Sequence, residues 1–329
     1  MKNIVVIADS RKSQTEAFLK IGANELYKIL LRKNYKIPSD YIQWQELAAL
    51  ISMNAPSFND YRLDLAQKFV SHRMALWVVH DAPIYCLDSK LLEQFQQTDI
   101  GDESLIFRDL ISQIPLHSLM LLLPSKTIVS PEGGYIDFLN IHCSDIRHPE
   151  WSTGEKYGIN PYYLKHDDGD IRLHFGCVDT KATIWFCGWG INETDGAIVQ
   201  APISLGAATV GANDNDFIKE LRSLVMQCLM FLCFEKPEID NVTFNETINK
   251  TGGFTSSKEP KEKCVYPRWL RDKKEILQVR HIKETSSLSS RSSPSPHLRR
   301  GHWRRSAVGK GKIARKWNWI KPTFVAGDS

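Results

Sequence analysis

From residue 119 to residue 203, short strand-like runs follow one another with turn signals between them. They cover 119–123, 135–141, 171–178, 182–187 and 197–203. Parallel strands need long crossovers, usually helical, and these runs lack regular helical spacers. The pattern therefore predicts a mainly antiparallel sheet. Gly133-Gly134 is a turn signal that would join 127–129 to 135–141. Asp167-Asp168-Gly169-Asp170 is a second such turn.

Helices flank this sheet in the sequence. Ser13-Gln14-Thr15-Glu16 has the capping-box pattern, and Phe18, Leu19, Leu26, Ile29 and Leu30 share one helical face before Pro38. A second helix is expected over 41–53. A third starts near Ser57 with Leu65, Phe69 and Leu76 on its buried side. Residues 1–8 and 84–87 read as short strands, and 89–97 and 104–114 as short helices. From Asn213 a strong helix carries Phe217, Ile218, Leu221, Leu224, Val225, Cys228, Leu229 and Leu232, with Met226, Met230 and Phe231 on other faces, and Pro237 stops it. A helix apolar nearly all round belongs in a core. The fold class expected is α+β: N-terminal helices, a mainly antiparallel sheet with a long buried helix, and a basic C-terminal extension. Four segments follow: 1–82 helical, 83–240 sheet-containing core, 241–296 polar linker with one helix at 269–282, and 297–329 basic and aromatic.

Charge divides the chain differently. Residues 1–240 hold 22 Lys+Arg and 31 Asp+Glu, a net of −9; residues 241–329 hold 20 and 7, a net of +13. An acidic body with a basic tail implies either a polyanionic partner or a tail docked on the body. The seven cysteines are odd in number, several sit in apolar runs, and no CxxC pair occurs. Buried free thiols in a reducing compartment fit better than a disulfide framework or a zinc site of the usual spacing. No run is long enough to span a bilayer, so a cytoplasmic protein with no membrane partner is expected.

Between Arg291 and Lys321 there are ten Lys/Arg and no acid. Arg299, Arg300, Arg304 and Arg305 surround His302 and Trp303, with His297 just upstream. Lys310, Lys312, Arg315 and Lys316 precede Trp317 and Trp319. Cations hold phosphates and flat rings stack on unpaired bases, so this mixture points to RNA or the ribosome. The competing reading puts Trp317, Trp319, Ile320, Phe324 and Val325 in a final strand, with the arginines paired to the acidic body. Gly309-Lys310-Gly311 gives flexible backbone beside a cation and lacks the P-loop spacing.

At this module the chain resembles a known family. The run Pro296-His297-Leu298-Arg299-Arg300-Gly301-His302-Trp303, then Gly309-x-Gly311, then Pro322-x-Phe324-Val325, is similar to the C-terminal signature of phage- and plasmid-borne anti-CRISPR proteins directed against the type V-A CRISPR nuclease. Leu76-Trp77 with Ile84-Tyr85-x-Leu87-Asp88, and Leu229-x-x-Leu232-Cys233-x-Glu235 with Pro237-Glu238-Ile239, extend the likeness from about Tyr35 onward. The extreme N-terminus, 144–170 and the polar linker depart from it. The resemblance implies an inhibitor, acting in the bacterial host cytoplasm, that lowers production of the effector nuclease. It does so by recognising the nascent effector polypeptide and promoting loss of its messenger RNA. The acidic body would offer the peptide surface and the basic tail the contact with RNA or ribosome. No cofactor is implied.

Catalytic alternatives rest on few residues. His297 and His302 among arginines could act as general acid and base of a mobile-element ribonuclease. His142, Cys143, Asp145 and His148, with His174 and Cys177, form a possible metal cluster. However, strand alternation would turn His142 and Cys143 to opposite faces. Asp167, Asp168 and Asp170 lack the later residues of a calcium loop. Trp185, Phe186 and Trp189 would be a binding patch or the packed end of a strand. No hydrolase, zincin or kinase motif occurs. No catalytic and no metal-ligating residue is assigned.

Overall fold

The structure is a computed structural model. It describes residues 21–55, 65–101, 103–111, 113, 118–145, 171–191, 198–200, 212–235, 237, 239–242, 265–272 and 297–325. In chain order its elements are α1 (Ala23–Leu31), α2 (Trp44–Asn54), α3 (Leu65–Val79), β1 (Ile84–Leu87), α4 (Ser89–Gln96), β2 (Thr98–Asp99), α5 (Glu103–Ile111), β3 (Ser118–Leu122), β4 (Phe138–Asp145), β5 (Ile171–Val178), β6 (Ile184–Ile191) and β7 (Ile198–Gln200). Then follow α6 (Ala212–Met230) with a π-helical turn (Phe231–Glu235), β8 (Arg268–Leu270), β9 (His297–Arg299), β10 (Gly301–Val308), β11 (Ala314–Ile320) and β12 (Thr323–Val325). The fold is α+β.

Two units are assembled from discontinuous segments. The first takes Met1–Leu87, Leu116–Ile218 and Ile239–Trp269, and the second Asp88–Pro115, Lys219–Glu238 and Leu270–Ser329. Close contacts between residues far apart in sequence, which a linear reading does not see, make the grouping.

The first unit is helices on a sheet. A seven-stranded sheet runs in the order β7-β6-β5-β4-β3-β1-β8. From β3 to β7 every neighbouring pair is antiparallel, as the missing helical spacers require, while β1 pairs with β3 in parallel. Val129 bridges Tyr135 across the Gly133-Gly134 turn. Helix α1 packs on α2, α2 on α3, and α3 lies across β3 to β6. Gly176 admits the helix: a Cβ there would lie 2.8 Å from Val70 Cγ2. Leu26, Leu30, Trp44, Leu47, Ile51, Met74, Trp77 and Phe138 share one buried core. Trp185 and Phe186 are buried, and the Trp185 ring meets Phe217 edge-on at 4.8 Å.

One expected helix is not formed as read. Residues 268–270 are an edge strand rather than the start of a helix over 269–282. Trp269 N donates to Asp240 O and Val242 N to Pro267 O, so this run spends its backbone groups on other segments. Residues 273–282 lie outside the described residues. So do the Ser13–Glu16 capping box, the strand at 1–8, the helix start near Ser57 and the turn at Asp167.

Candidate nucleic-acid interface

The second unit positions the basic segment. Strands β10 and β11 pair antiparallel, and β10 also pairs in parallel with the short β2. The register decides what the segment presents. Trp303 lies opposite Trp319 and Arg305 opposite Trp317; His302 lies opposite Ile320, Arg304 opposite Asn318 and Ser306 opposite Lys316. Successive strand residues point to opposite faces, so these pairs form two separate surfaces.

One surface is packed. Trp303, Trp317 and Trp319 are only 6%, 6% and 8% exposed. Trp319 is the hub. Its ring centroid lies 5.3 Å from Phe95 on α4, 5.8 Å from Phe231 on the π-helical turn and 6.0 Å from Trp303, nearly parallel to the last. Its indole N–H donates to Thr98 Oγ1 at 3.2 Å, and its backbone N–H to Glu235 Oε1 at 3.0 Å. Buried indoles are usually held this way, by aromatic packing on the ring and an acceptor for the N–H. Trp317 packs beside Phe234 and donates Nε1–H to Asp109 Oδ2 at 2.8 Å. Asp109, on α5, also accepts two hydrogen bonds from Arg305, Nε to Oδ2 at 2.8 Å and Nη2 to Oδ1 at 3.2 Å. Lys321 pairs with Asp272.

The seat is tight where the hairpin enters. Gly301 N donates to Gln97 O at 3.0 Å. A Cβ on Gly301 would stand 2.5 Å from Thr98 Oγ1 and 2.7 Å from Pro322 Cδ. Only glycine lets the two strands and the Pro322 ring come this close.

The opposite surface is exposed and cationic. His302, Arg304 and Lys316 lie on it, and Lys310, Lys312 and Arg315 surround the hairpin tip. His297 and Arg299 are exposed in the separate β9–β12 ribbon, opposite Val325 and Thr323, and Arg300 links that ribbon to β10. Of the residues read as nucleic-acid binding, the fold thus gathers His302, Arg304, Lys316, Lys310, Lys312 and Arg315 on or near one hairpin. It turns Arg305 toward Asp109, and it seats the three tryptophans among Phe95, Phe231 and Phe234. The two histidines belong to different ribbons, and the hairpin register does not pair them. The seat itself (Phe95, Thr98, Asp109, Phe231 and Glu235) carries no sequence motif. The alternation of Trp317 and Trp319 with Lys316 and Ile320 was the available signal that one face is buried.

The sheet of the first unit brings His142 opposite His174 and puts Cys143 opposite Leu173. Arg73 Nη2 lies 3.5 Å from His174 Nδ1. A guanidinium can only donate, so in this contact Nδ1 is the acceptor. Among the described residues no three His, Cys, Asp or Glu side chains are grouped to hold a metal ion. Residue 148 lies outside them. Among the described residues, too, no helix is long and apolar enough to cross a membrane.

Together these features define an α+β protein that holds a cationic β-hairpin on an aromatic seat. Residues 85–327, about three quarters of the chain, match the model of the AcrVA2-like family, the anti-CRISPR type V subtype A2 family. The chain belongs to that family and is an anti-CRISPR protein of the type V-A class. The match opens at Tyr85, downstream of Leu76 and Trp77. No curated protein and no solved structure matches the chain.

Proposed function

We propose that this protein suppresses production of a type V-A effector nuclease by recognising the nascent effector polypeptide and promoting loss of its messenger RNA. In this reading it is a binding protein, and it works in the cytoplasm of the bacterial host. The acidic part of the chain offers the peptide-binding surface, and the hairpin contacts RNA or the ribosome.

The observation that carries the RNA contact is the sorting of the hairpin. Its tryptophans are spent on packing, while Arg304 and Lys316 share the exposed face and Lys310, Lys312 and Arg315 crowd the tip. Among the described residues, none of these five cations pairs with a described carboxylate. Phosphate binding by such a surface is electrostatic and releases counterions. Stacking on tryptophan, which the bare sequence favoured, is not part of the proposal.

Salt dependence tests it. RNA affinity should fall steeply with ionic strength, with a slope on a double-logarithmic plot of roughly −0.7 to −0.9 for each phosphate neutralised. Replacing Arg304 and Lys316 together by Ala should make that slope shallower by one to two. An affinity indifferent to salt, or to the double substitution, would contradict the assignment of this face.

A further inference from the structure

The hairpin tip carries a feature that phosphate binding does not use. Ile313 is 86% exposed, while the other exposed large apolar residues among those described lie between 40% and 58%. Single exposed aliphatic residues are ordinary on protein surfaces. Ile313 differs by its place. It stands at the apex of a two-stranded ribbon, among Lys310, Lys312, Arg315 and Lys316, with no acid between them.

The apex is preformed. Gly309, Gly311 and Lys312 take positive φ values of 78°, 73° and 54°, and Lys312 N donates to Gly309 O at 3.1 Å. The turn is closed by a hydrogen bond, and glycine supplies two of its three left-handed positions. Beyond the Trp303–Trp319 pair the ribbon continues for five paired residues, to Val308 and Ala314. The outermost seated pair is Arg305–Trp317, three paired residues from the ribbon's end, so at strand rise the tip stands about 10 Å beyond the aromatic seat. A cationic ribbon with one apolar residue at its point is the arrangement used to wedge between stacked bases while cations hold the flanking phosphates. The grooves of regular A-form RNA exclude such a ribbon or offer a shallow surface. Entry is easiest where an unpaired nucleotide already breaks the stack.

We propose that Ile313 is an apolar wedge which the hairpin inserts at an unpaired step of an RNA helix, with Lys310, Lys312, Arg315 and Lys316 on the adjoining phosphates. This rests on the RNA-binding reading above and specifies the kind of RNA: a duplex interrupted by a bulge or internal loop.

The test uses the full chain and a short RNA duplex carrying a one-nucleotide bulge, with 2-aminopurine beside the bulge as a reporter of stacking. A fully paired RNA duplex, a DNA duplex and vesicles of anionic phospholipid serve as further arms. The wild type should bind the bulged RNA most tightly and raise the 2-aminopurine fluorescence. Ile313→Ala should weaken that binding about tenfold and abolish the fluorescence rise, and it should leave the salt slope and the unfolding temperature unchanged. Ile313→Leu should retain both properties. Lys310→Ala with Lys312→Ala should instead make the salt slope shallower. If bulged RNA is bound but Ile313→Ala changes neither affinity nor fluorescence, the wedge is wrong and the RNA-binding reading survives. If no RNA is bound, both fall. Preference for paired RNA, for DNA or for vesicles would likewise overturn the wedge.

Discussion

Arg305 and Asp109 face each other through two hydrogen bonds, 2.8 and 3.2 Å long, and the same carboxylate accepts the Trp317 indole N–H. One arginine of the basic segment is thus committed to holding the hairpin in place, while its neighbour Arg304 points to the other face. This divides the two residues experimentally. Arg305→Ala should cost about 1 kcal/mol of stability, since the pair is part exposed. Asp109→Ala should cost about 2–3 kcal/mol, because it also leaves the buried Trp317 donor unpaired. Arg304→Ala should stay within about 0.5 kcal/mol of wild type yet weaken RNA binding. Urea unfolding and RNA titration of the three variants check the division.

Trp319 carries more of the seat than any other hairpin residue. Replacing it by Ala removes its contacts with Phe95, Phe231 and Trp303 and orphans the Thr98 acceptor, while the backbone bond to Glu235 is kept. The expected loss is about 3–5 kcal/mol. Trp319→Phe keeps an aromatic ring and gives up the indole donor, so about 1–2 kcal/mol is expected. Equal losses in denaturant melts would show that ring packing is not what anchors the strand.

Asp179 sets an acid limit on the first unit. It is buried beside Ser130, whose Oγ donates at 2.7 Å, and Trp185, whose Nε1 donates at 3.1 Å; Thr183 N and Lys181 N donate to its other oxygen. Burial pushes its pKa up, but the hydrogen bonds from Ser130, Trp185, Thr183 and Lys181 outweigh that and hold it below the ordinary value of 3.8. A carboxylate whose native pKa is depressed stabilises the fold fully above its unfolded value, and the contribution is lost as pH falls through the native one. Stability should therefore drop below about pH 4, with a shallower drop in Asp179→Asn. Parallel acid profiles for wild type and variant would contradict this account.

The thiols should be chemically silent in the folded protein. All six described cysteines are buried, and among the described residues none is in a disulfide. Burial pushes the thiols of Cys86, Cys177 and Cys228 well up, Cys86 and Cys177 with help from a nearby aspartate. In a Cys264→Ser background, a thiol reagent at mildly alkaline pH should label none of the six until denaturant is added. Rapid labelling in native buffer would mean that these cores open readily.

Much of the fold was legible because periodicity reports burial directly. The antiparallel strands, helices α4 and α5, and the apolar helix before Pro237 all follow from it. The discontinuous units, the strand at Trp269 and the partnership of Asp109 were not legible, since each depends on a contact distant in sequence. The basic segment lay between these cases. Its composition read as one mixed surface of cations and rings. The period of two that separates Trp317 and Trp319 from Lys316 and Ile320 was present in the sequence, and it sorts rings inward and cations outward once the segment is a strand.

The same geometry dictates how the central claim must be tested. Cutting the chain before His297 would strip Trp303, Trp317 and Trp319 from the core of their unit, so loss of activity would reflect unfolding. The direct measurement is a reporter assay in a bacterial host that expresses a type V-A nuclease and an unrelated protein, reading the protein and messenger levels of each. The arms compare no inhibitor, wild type, and the folded variant with Arg304 and Lys316 both replaced by Ala. The account predicts selective loss of nuclease and its messenger with wild type, and recovery of both with the variant. Nuclease messenger left intact by wild type, or lost equally with the variant, would contradict it.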